Sequence, residues 1–119
     1  MSNHDNHHKI NYIEFTSTNI QATKQFYSAA FGWTFKDWGP EYISFVAAGI
    51  DGGFRLGAIK DELHQDGPLV ILYAISLAAA EQAIIAAGGR ITAPTFEFPG
   101  GHRFHFNDGA GNQLGVWSE

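Results

Sequence analysis

The sequence predicts an α+β fold made of two copies of a βαβββ unit, and three observations support this prediction. Short stretches of alternating apolar and polar residues are typical of strands, and two stretches with helical spacing lie among them. Each predicted helix follows a capping residue and ends at glycine. When the halves are superposed so that Ser76 falls on Asn19, Gly89 also falls on Gly32. A unit that occurs only twice indicates a paired, pseudo-symmetric architecture.

The first unit is expected over residues 10–59, after a polar tail at residues 1–9 that we expect to be disordered. Asn19 can cap its helix, because the side chain can accept a hydrogen bond from a free backbone N–H of the first turn. Gly32 ends that helix as a left-handed cap. Alternation predicts a strand from residue 10, and aromatic and β-branched residues predict three more, at residues 33–38, 42–47 and 53–59.

The second unit is expected over residues 69–117, after a polar linker at residues 60–68. Its first strand, residues 69–75, is apolar enough to predict burial on both faces. Ser76 is the second helix cap, and the Ala-rich helix that it starts ends at Gly88 and Gly89. Three further strands are expected at residues 90–95, 102–107 and 113–117.

The last two predicted strands form a hairpin with two different faces. Asp and Asn side chains can bond the nearby backbone, and glycine tolerates a positive φ, so the cluster at residues 108–112 predicts a tight turn. One face of the hairpin is apolar. The other face carries Arg103, His105, Gln113 and Trp117 around Gly115, and this mixture predicts the lining of a cavity.

Composition narrows the classes of function. A chain of 119 residues is most simply a single domain. Seven basic and twelve acidic side chains give a net charge of −5, which argues against nucleic acid as a partner. The absence of cysteine excludes a thiol nucleophile and fits a reducing compartment. The N-terminus lacks an export signal and the longest apolar run is too short for a bilayer, so we expect a cytoplasmic protein without a membrane partner.

Three motifs give the chain a resemblance to a known superfamily. They are FYSAAFGW at residues 26–33, AAGGRI at residues 86–91 and DGAGNQLGVW at residues 108–117. In these motifs the chain resembles the vicinal oxygen chelate superfamily, which includes glyoxalase I, bleomycin-resistance proteins, fosfomycin-resistance transferases and extradiol dioxygenases. The resemblance implies one glyoxalase/bleomycin-resistance-like domain over residues 10–119. It also implies curved mixed sheets closing round a cavity, and a homodimer in which two chains share the cavity walls.

The metal ligands of the superfamily are missing from the positions that match. Metal-dependent members hold a divalent ion through His, Gln or Glu, and the resemblance places those positions on Tyr12, Leu69 and Gly115. We therefore expect neither a metal nor another cofactor. The alternative is a metal-dependent lyase, isomerase or dioxygenase like glyoxalase I, with a noncanonical site that uses Glu14 and His105. Glu14 would be its catalytic general base, because burial against apolar side chains disfavours the charged carboxylate.

Without a metal, the resemblance implies a cavity that binds a small-molecule ligand. Flat apolar rings with polar tips suit a planar or aromatic ligand, and Gly115 would leave room for it. Arg103 would meet an anionic group of the ligand or pair with Glu14 or Asp108. A domain with only a structural or regulatory role is a third hypothesis. The expected ligand-binding residues are Tyr12, Glu14, Tyr73, Arg103, His105, Gln113, Gly115 and Trp117.

Overall fold

The computed structural model describes residues 4–58 and 67–119, and these residues form two successive βαβββ units, as predicted. The first unit comprises β1 (Tyr12–Ser17), α1 (Ile20–Phe31), β2 (Thr34–Asp37), β3 (Tyr42–Val46) and β4 (Asp51–Leu56). The second comprises β5 (Ile71–Tyr73), α2 (Leu77–Ala86), β6 (Arg90–Phe98), β7 (Gly101–Asn107) and β8 (Gln113–Ser118). Residues 1–3 of the predicted tail and most of the predicted linker lie outside the described residues, and His4–Asn6 form a 3-10 turn.

Each unit contributes one four-stranded mixed sheet. Sheet A has the strand order β1-β4-β3-β2, and sheet B has the order β5-β8-β7-β6. In both sheets the first strand of the unit runs parallel to the last, while the other neighbours are antiparallel. This equivalence confirms the internal repeat, and it places the edge strands β1 and β5 at matching positions.

Both helices begin after the predicted caps, and α1 ends at Gly32 as predicted. Helix α2 ends at Ala86 with Ala87 as its cap, just before the left-handed Gly88. The side chain of Asn19 accepts a hydrogen bond of 3.0 Å from the N–H of Ala22, and Ser76 accepts one of 3.2 Å from Ala79. Gly32 is left-handed at φ 74°, which closes α1 without the steric cost that a side chain would bring. Within the described part of the chain, no helix is long and apolar enough to cross a membrane.

A single apolar core joins the two sheets through the helices. Phe26 of α1 lies with its ring centre 5.9 Å from that of Phe106 in β7, and Tyr27 lies 5.1 Å from Phe54 in β4. The core-facing sides of both sheets are therefore turned toward α1 and α2, and the opposite faces point outward. The buried hydrophobic residues of this core include Ile20, Phe26, Tyr27, Ile43, Phe45, Phe54, Ile84, Phe104, Phe106, Leu114 and Val116.

The expected burial of residues 69–75 on both faces is wrong. Strand β5 covers only three of these residues; Ile71 and Tyr73 are exposed by about a third to a half, and Ile75 is 91% exposed. The reason is position in the sheet, because β5 is an edge strand that pairs only with β8. Only one of its faces packs against the core, where Leu72 and Ala74 lie.

Strand β6 extends past its predicted end at residue 95 and reaches Phe98. Its register with β7 shifts twice, between Ile91 and Ala93 and between Ala93 and Phe96. Pro94 lies in this irregular segment, where a missing N–H is tolerated because β6 is the other edge of sheet B. The extension places Phe96 and Phe98 beside the hairpin face that the sequence predicts as a cavity wall.

Candidate ligand-binding site

The turn between β7 and β8 is held by the buried carboxylate of Asp108. Its Oδ1 accepts hydrogen bonds from the N–H of Ala110 at 2.8 Å and of Asn112 at 3.0 Å, and its Oδ2 accepts one from the Tyr27 hydroxyl at 2.9 Å. Burial raises the pKa of Asp108, and hydrogen bonds from the backbone N–H groups offset part of this effect. Asn112 also donates to the Thr16 carbonyl at 2.7 Å, which ties the hairpin to the first unit.

Six of the eight predicted site residues share the outward face of sheet B. The register pairs Arg103 with Trp117 and His105 with Gly115 across β7 and β8, and it pairs Tyr73 of β5 with Trp117. Gln113 lies two residues before Gly115 on the same face of β8. The hairpin therefore presents one continuous polar and aromatic surface, as its alternation predicts.

The other two predicted residues, Tyr12 and Glu14, lie on the outward face of sheet A. The Tyr12 hydroxyl is 2.5 Å from the hydroxyl of Tyr42, and the Glu14 carboxylate lies 3.7 Å from Nε of Arg55. Burial is the first cause that raises the pKa of Tyr42, followed by the hydrogen bond to Tyr12. Glu14 is exposed, so this chain alone does not supply the apolar surroundings on which its predicted role as general base depends. Because the outward faces point apart, one chain does not bring all eight residues together, and its sheets do not close a barrel.

A pocket of about 390 Å³ opens on sheet B. The sequence singled out Arg103 and Trp117 in its wall. It missed Phe98, Pro99 and Gly100 because the predicted end of β6 fell short of them, and it missed Ile71 because β5 was expected to be buried on both faces. The alternation of Phe96 and Phe98 before the turn at Pro99 and Gly100 is the signal that extends the strand. The wall comprises Ile71, Phe98, Pro99, Gly100, Arg103 and Trp117.

Arg103 is held by two phenylalanine rings rather than by an acid. Its guanidinium carbon lies 5.2 Å from the ring centre of Phe96 and 5.3 Å from that of Phe98, within the range of cation–π attraction. Its Nε is buried and has no hydrogen-bond partner among residues 4–58 and 67–119. Neither predicted acidic partner pairs with it, since Glu14 pairs with Arg55 and Asp108 is occupied by the β7-β8 turn.

The void expected at Gly115 is largely filled. A Cβ at this position would lie 3.1 Å from Cδ2 of His105 and 3.4 Å from Cγ1 of Ile71, so these side chains take up the space that the glycine leaves. The Nε2 of His105 is buried, and no described residue forms a hydrogen bond with it. Burial, together with the charge of Arg103, lowers the pKa of His105, which keeps its ring neutral at pH 7. Within a single chain, His105 and Ile71 therefore limit the room expected beside Gly115, and the place of Gly115 in the ligand site stays a prediction.

A family model described as the Glyoxalase/Bleomycin resistance protein/Dioxygenase superfamily matches residues 9–116. The chain belongs to this superfamily. Its match extends from the residues before β1 into β8 and includes both units, so the resemblance in the three sequence motifs is confirmed. No curated protein sequence matches the chain.

Solved structures of superfamily proteins have the same fold. A glyoxalase-related enzyme from Fulvimarina pelagi is 20% identical, with a TM-score of 0.77 over 93% of this chain and 88% of its own. A glyoxalase/bleomycin resistance protein/dioxygenase family enzyme from Burkholderia phytofirmans is 15% identical, with a TM-score of 0.75 over 91% and 96%. The fosfomycin resistance protein FosX from Listeria monocytogenes, complexed with manganese(II) and a dihydroxypropylphosphonic acid, is 15% identical, with a TM-score of 0.76 over 91% and 87%.

The residues of this superfamily member do not fit a divalent metal at the expected positions. The Tyr12 hydroxyl is hydrogen-bonded to the Tyr42 hydroxyl. Leu69 and Gly115 have no side-chain atom that can bind a metal ion. Glu14 and His105 lie on the outward faces of different sheets, so one chain cannot present both to one ion. In residues 4–58 and 67–119, no three His, Asp or Glu side chains are grouped as metal ligands. We therefore assign no chemical step to a metal.

Proposed function

We propose that this superfamily member binds a small organic molecule with a flat apolar body in the pocket on sheet B. The observation that carries the proposal is the pocket itself, where Trp117 and Phe98 face the same space as the Arg103 side chain. A volume of about 390 Å³ falls within the range of small-molecule sites, which are mostly apolar with a few placed polar groups. The cytoplasmic location expected from the sequence stays a prediction.

Large apolar side chains on both outward faces support a homodimer as part of this proposal. Tyr12 and Val46 are exposed on sheet A, and Ile71, Tyr73 and Phe96 are exposed on sheet B. Exposed apolar patches of this kind mark surfaces that another molecule covers. A two-fold arrangement that sets sheet A of one copy against sheet B of its partner would bring Tyr12 and Glu14 to the pocket. It would also reunite the predicted set of site residues.

Analytical ultracentrifugation at micromolar concentration is expected to show about twice the chain mass. Val46→Glu should shift the protein to the monomer, because a buried unpaired carboxylate opposes association of the two faces. Ile85→Glu is the matched control: both side chains are 56% exposed, but Ile85 lies on α2 and outside both sheets. A monomeric parent protein, or equal loss of the dimer in both variants, would contradict the arrangement.

Ligand binding is tested with two flat probes of the same shape, 2-naphthoate and 2-naphthamide, in isothermal titration calorimetry. At least one probe should bind with micromolar affinity, and Trp117→Ala should weaken its binding by about tenfold or more, because an aromatic wall of the pocket is removed. Ile85→Ala is the control, since this exposed apolar side chain lies on α2 and outside both sheets. Absence of binding by both probes at about millimolar concentration, or equal losses in the two variants, would reject the pocket as the binding site.

A further inference from the structure

The guanidinium of Arg103 has aromatic rings beside it and unused donors. Phe96 lies opposite Arg103 in the β6-β7 register, and Phe98 follows two residues later, so both rings lie on the same face as the arginine. An arginine carries five N–H donors that point outward in the plane of the group, and a phenylalanine ring has no oxygen or nitrogen atom to accept from them. The ring contacts therefore leave the donors available.

The described residues supply no acceptor for Arg103. Two carboxylates on elements near the pocket are engaged elsewhere: Glu97 lies 3.8 Å from Nε2 of His102, and Glu119 accepts a hydrogen bond of 2.6 Å from the Tyr73 hydroxyl. Nε of Arg103 is buried, and within the described part of the chain it has no hydrogen-bond partner. Buried donors of this kind are costly when unpaired, and a charged donor gains most from a charged acceptor. Within residues 4–58 and 67–119, Arg103 is thus a cation without a paired anion. Glu14, which the proposed dimer would bring to the pocket, already pairs with Arg55 of its own chain.

The shape of the pocket limits what that anion can be. Arg103 and Trp117 are opposed in the β7-β8 register, and Phe98 lies 6.1 Å from the Trp117 ring. An acceptor that reaches the guanidinium must therefore enter between aromatic side chains. A carboxylate attached to a ring satisfies both requirements, because its planar oxygens match the guanidinium fork and its ring is apolar.

We propose that the pocket on sheet B selects an aromatic monoanion, with its carboxylate on the guanidinium of Arg103 and its ring against Trp117 and Phe98. This inference rests on the proposed binding function and adds the charge of the ligand to it. The chain as a whole has a net charge of −5, which repels anions. The preference of the pocket for an anionic ligand therefore comes from the local positive charge of Arg103.

The test compares 2-naphthoate with 2-naphthamide, which differ in charge but have nearly the same shape. The parent protein is expected to bind the carboxylate about tenfold more tightly or better. Arg103→Met retains a long unbranched side chain against the two rings and should abolish this preference, with about tenfold weaker binding of naphthoate and less than threefold change for naphthamide. Arg103→Lys should retain part of the preference, since it keeps the charge and loses the fork.

Arg90→Met is the charge-matched control, because it removes one positive charge from an exposed position at the opposite end of β6. It should leave the preference for naphthoate unchanged. Equal binding of both probes to the parent protein, or an equal loss of preference in Arg90→Met, would overturn the inference while the proposed function stands. Failure of both probes to bind would overturn the proposed function as well. Equal binding of the two probes to the parent protein contradicts the inference even when an Arg103 variant does not fold.

Discussion

Replacement of Asp108 by alanine is expected to lower the free energy of unfolding by about 3–5 kcal/mol, because several buried donors lose one acceptor together. These donors are the N–H groups of Ala110 and Asn112, the hydroxyl of Tyr27 and the side-chain amide of Asn112. Urea denaturation measures the change. Asp51→Ala, at the exposed start of β4, is the control and should change stability by less than about 0.5 kcal/mol. Equal losses in the two variants would show that the carboxylate of Asp108 does not hold the turn.

The pH dependence of the same turn follows from the raised pKa of Asp108. A raised pKa means that the folded protein binds this proton more tightly than the unfolded chain does. The stability from this proton is fully present below the ordinary value of 3.8 and is lost as pH rises through the folded pKa. Asp108→Asn cannot titrate, so the stability difference between parent and variant should shrink as pH rises through that range. A difference that grows with pH would show that the hydrogen bonds outweigh burial.

The parts of the fold that sequence predicts well are set by local chemistry. Asn19 and Ser76 cap helices through bonds to residues three positions away, and Gly32 ends α1 through its own backbone conformation. None of these features depends on distant parts of the chain. The β7-β8 turn is local in part, because Asp108 and Asn112 bond each other and the backbone between them. Its bonds to Tyr27 and to the Thr16 carbonyl come from the first unit and are not local. The local features are therefore available from a window of a few residues.

The features that sequence did not predict depend on partners distant in the chain. Residues 69–75 carry the apolar content of a central strand, but their burial is set by pairing with β8 alone, which alternation does not encode. The space beside Gly115 is filled by His105 on a neighbouring strand, which depends on the direction of one side chain.

The division of the predicted site has a similar cause. Alternation shows that Tyr12 and Glu14 share one face of a strand and that Arg103 and His105 share another. It does not show whether the two faces meet. The helices pack between the sheets, so the outward faces of sheet A and sheet B point in different directions within one chain. A second copy of the chain would be needed to bring these two faces together. The family resemblance implies cavity walls shared between two chains. The opposite directions of the two outward faces give a physical reason for the same expectation.

Replacement of Gly52 by alanine is expected to destabilise the protein by about 3 kcal/mol. This is the upper end of the usual cost of adding one carbon atom to a well-packed core. A Cβ here would collide with the carbonyl oxygen of Ile13, and it would lie 2.5 Å from Cζ of Phe45 and 2.8 Å from Cγ2 of Ile13. The carbonyl belongs to the strand paired with β4, so relief would require movement of the β1 backbone. Thermal or urea denaturation measures the loss.

Two glycines provide controls that separate this cause from the general effect of replacing glycine. Gly67→Ala meets nothing within 4 Å and should change stability by less than about 1 kcal/mol, with a small gain expected because alanine restricts the unfolded chain. Gly53→Ala faces outward and would contact the hydroxyls of Tyr42 and Tyr12, which lie at the ends of long side chains that can rotate away. It should therefore cost less than Gly52→Ala, although it would separate the two tyrosines. If the two neighbouring substitutions cost the same, contact of Gly52 with the Ile13 backbone and the Phe45 ring is not what requires glycine in β4.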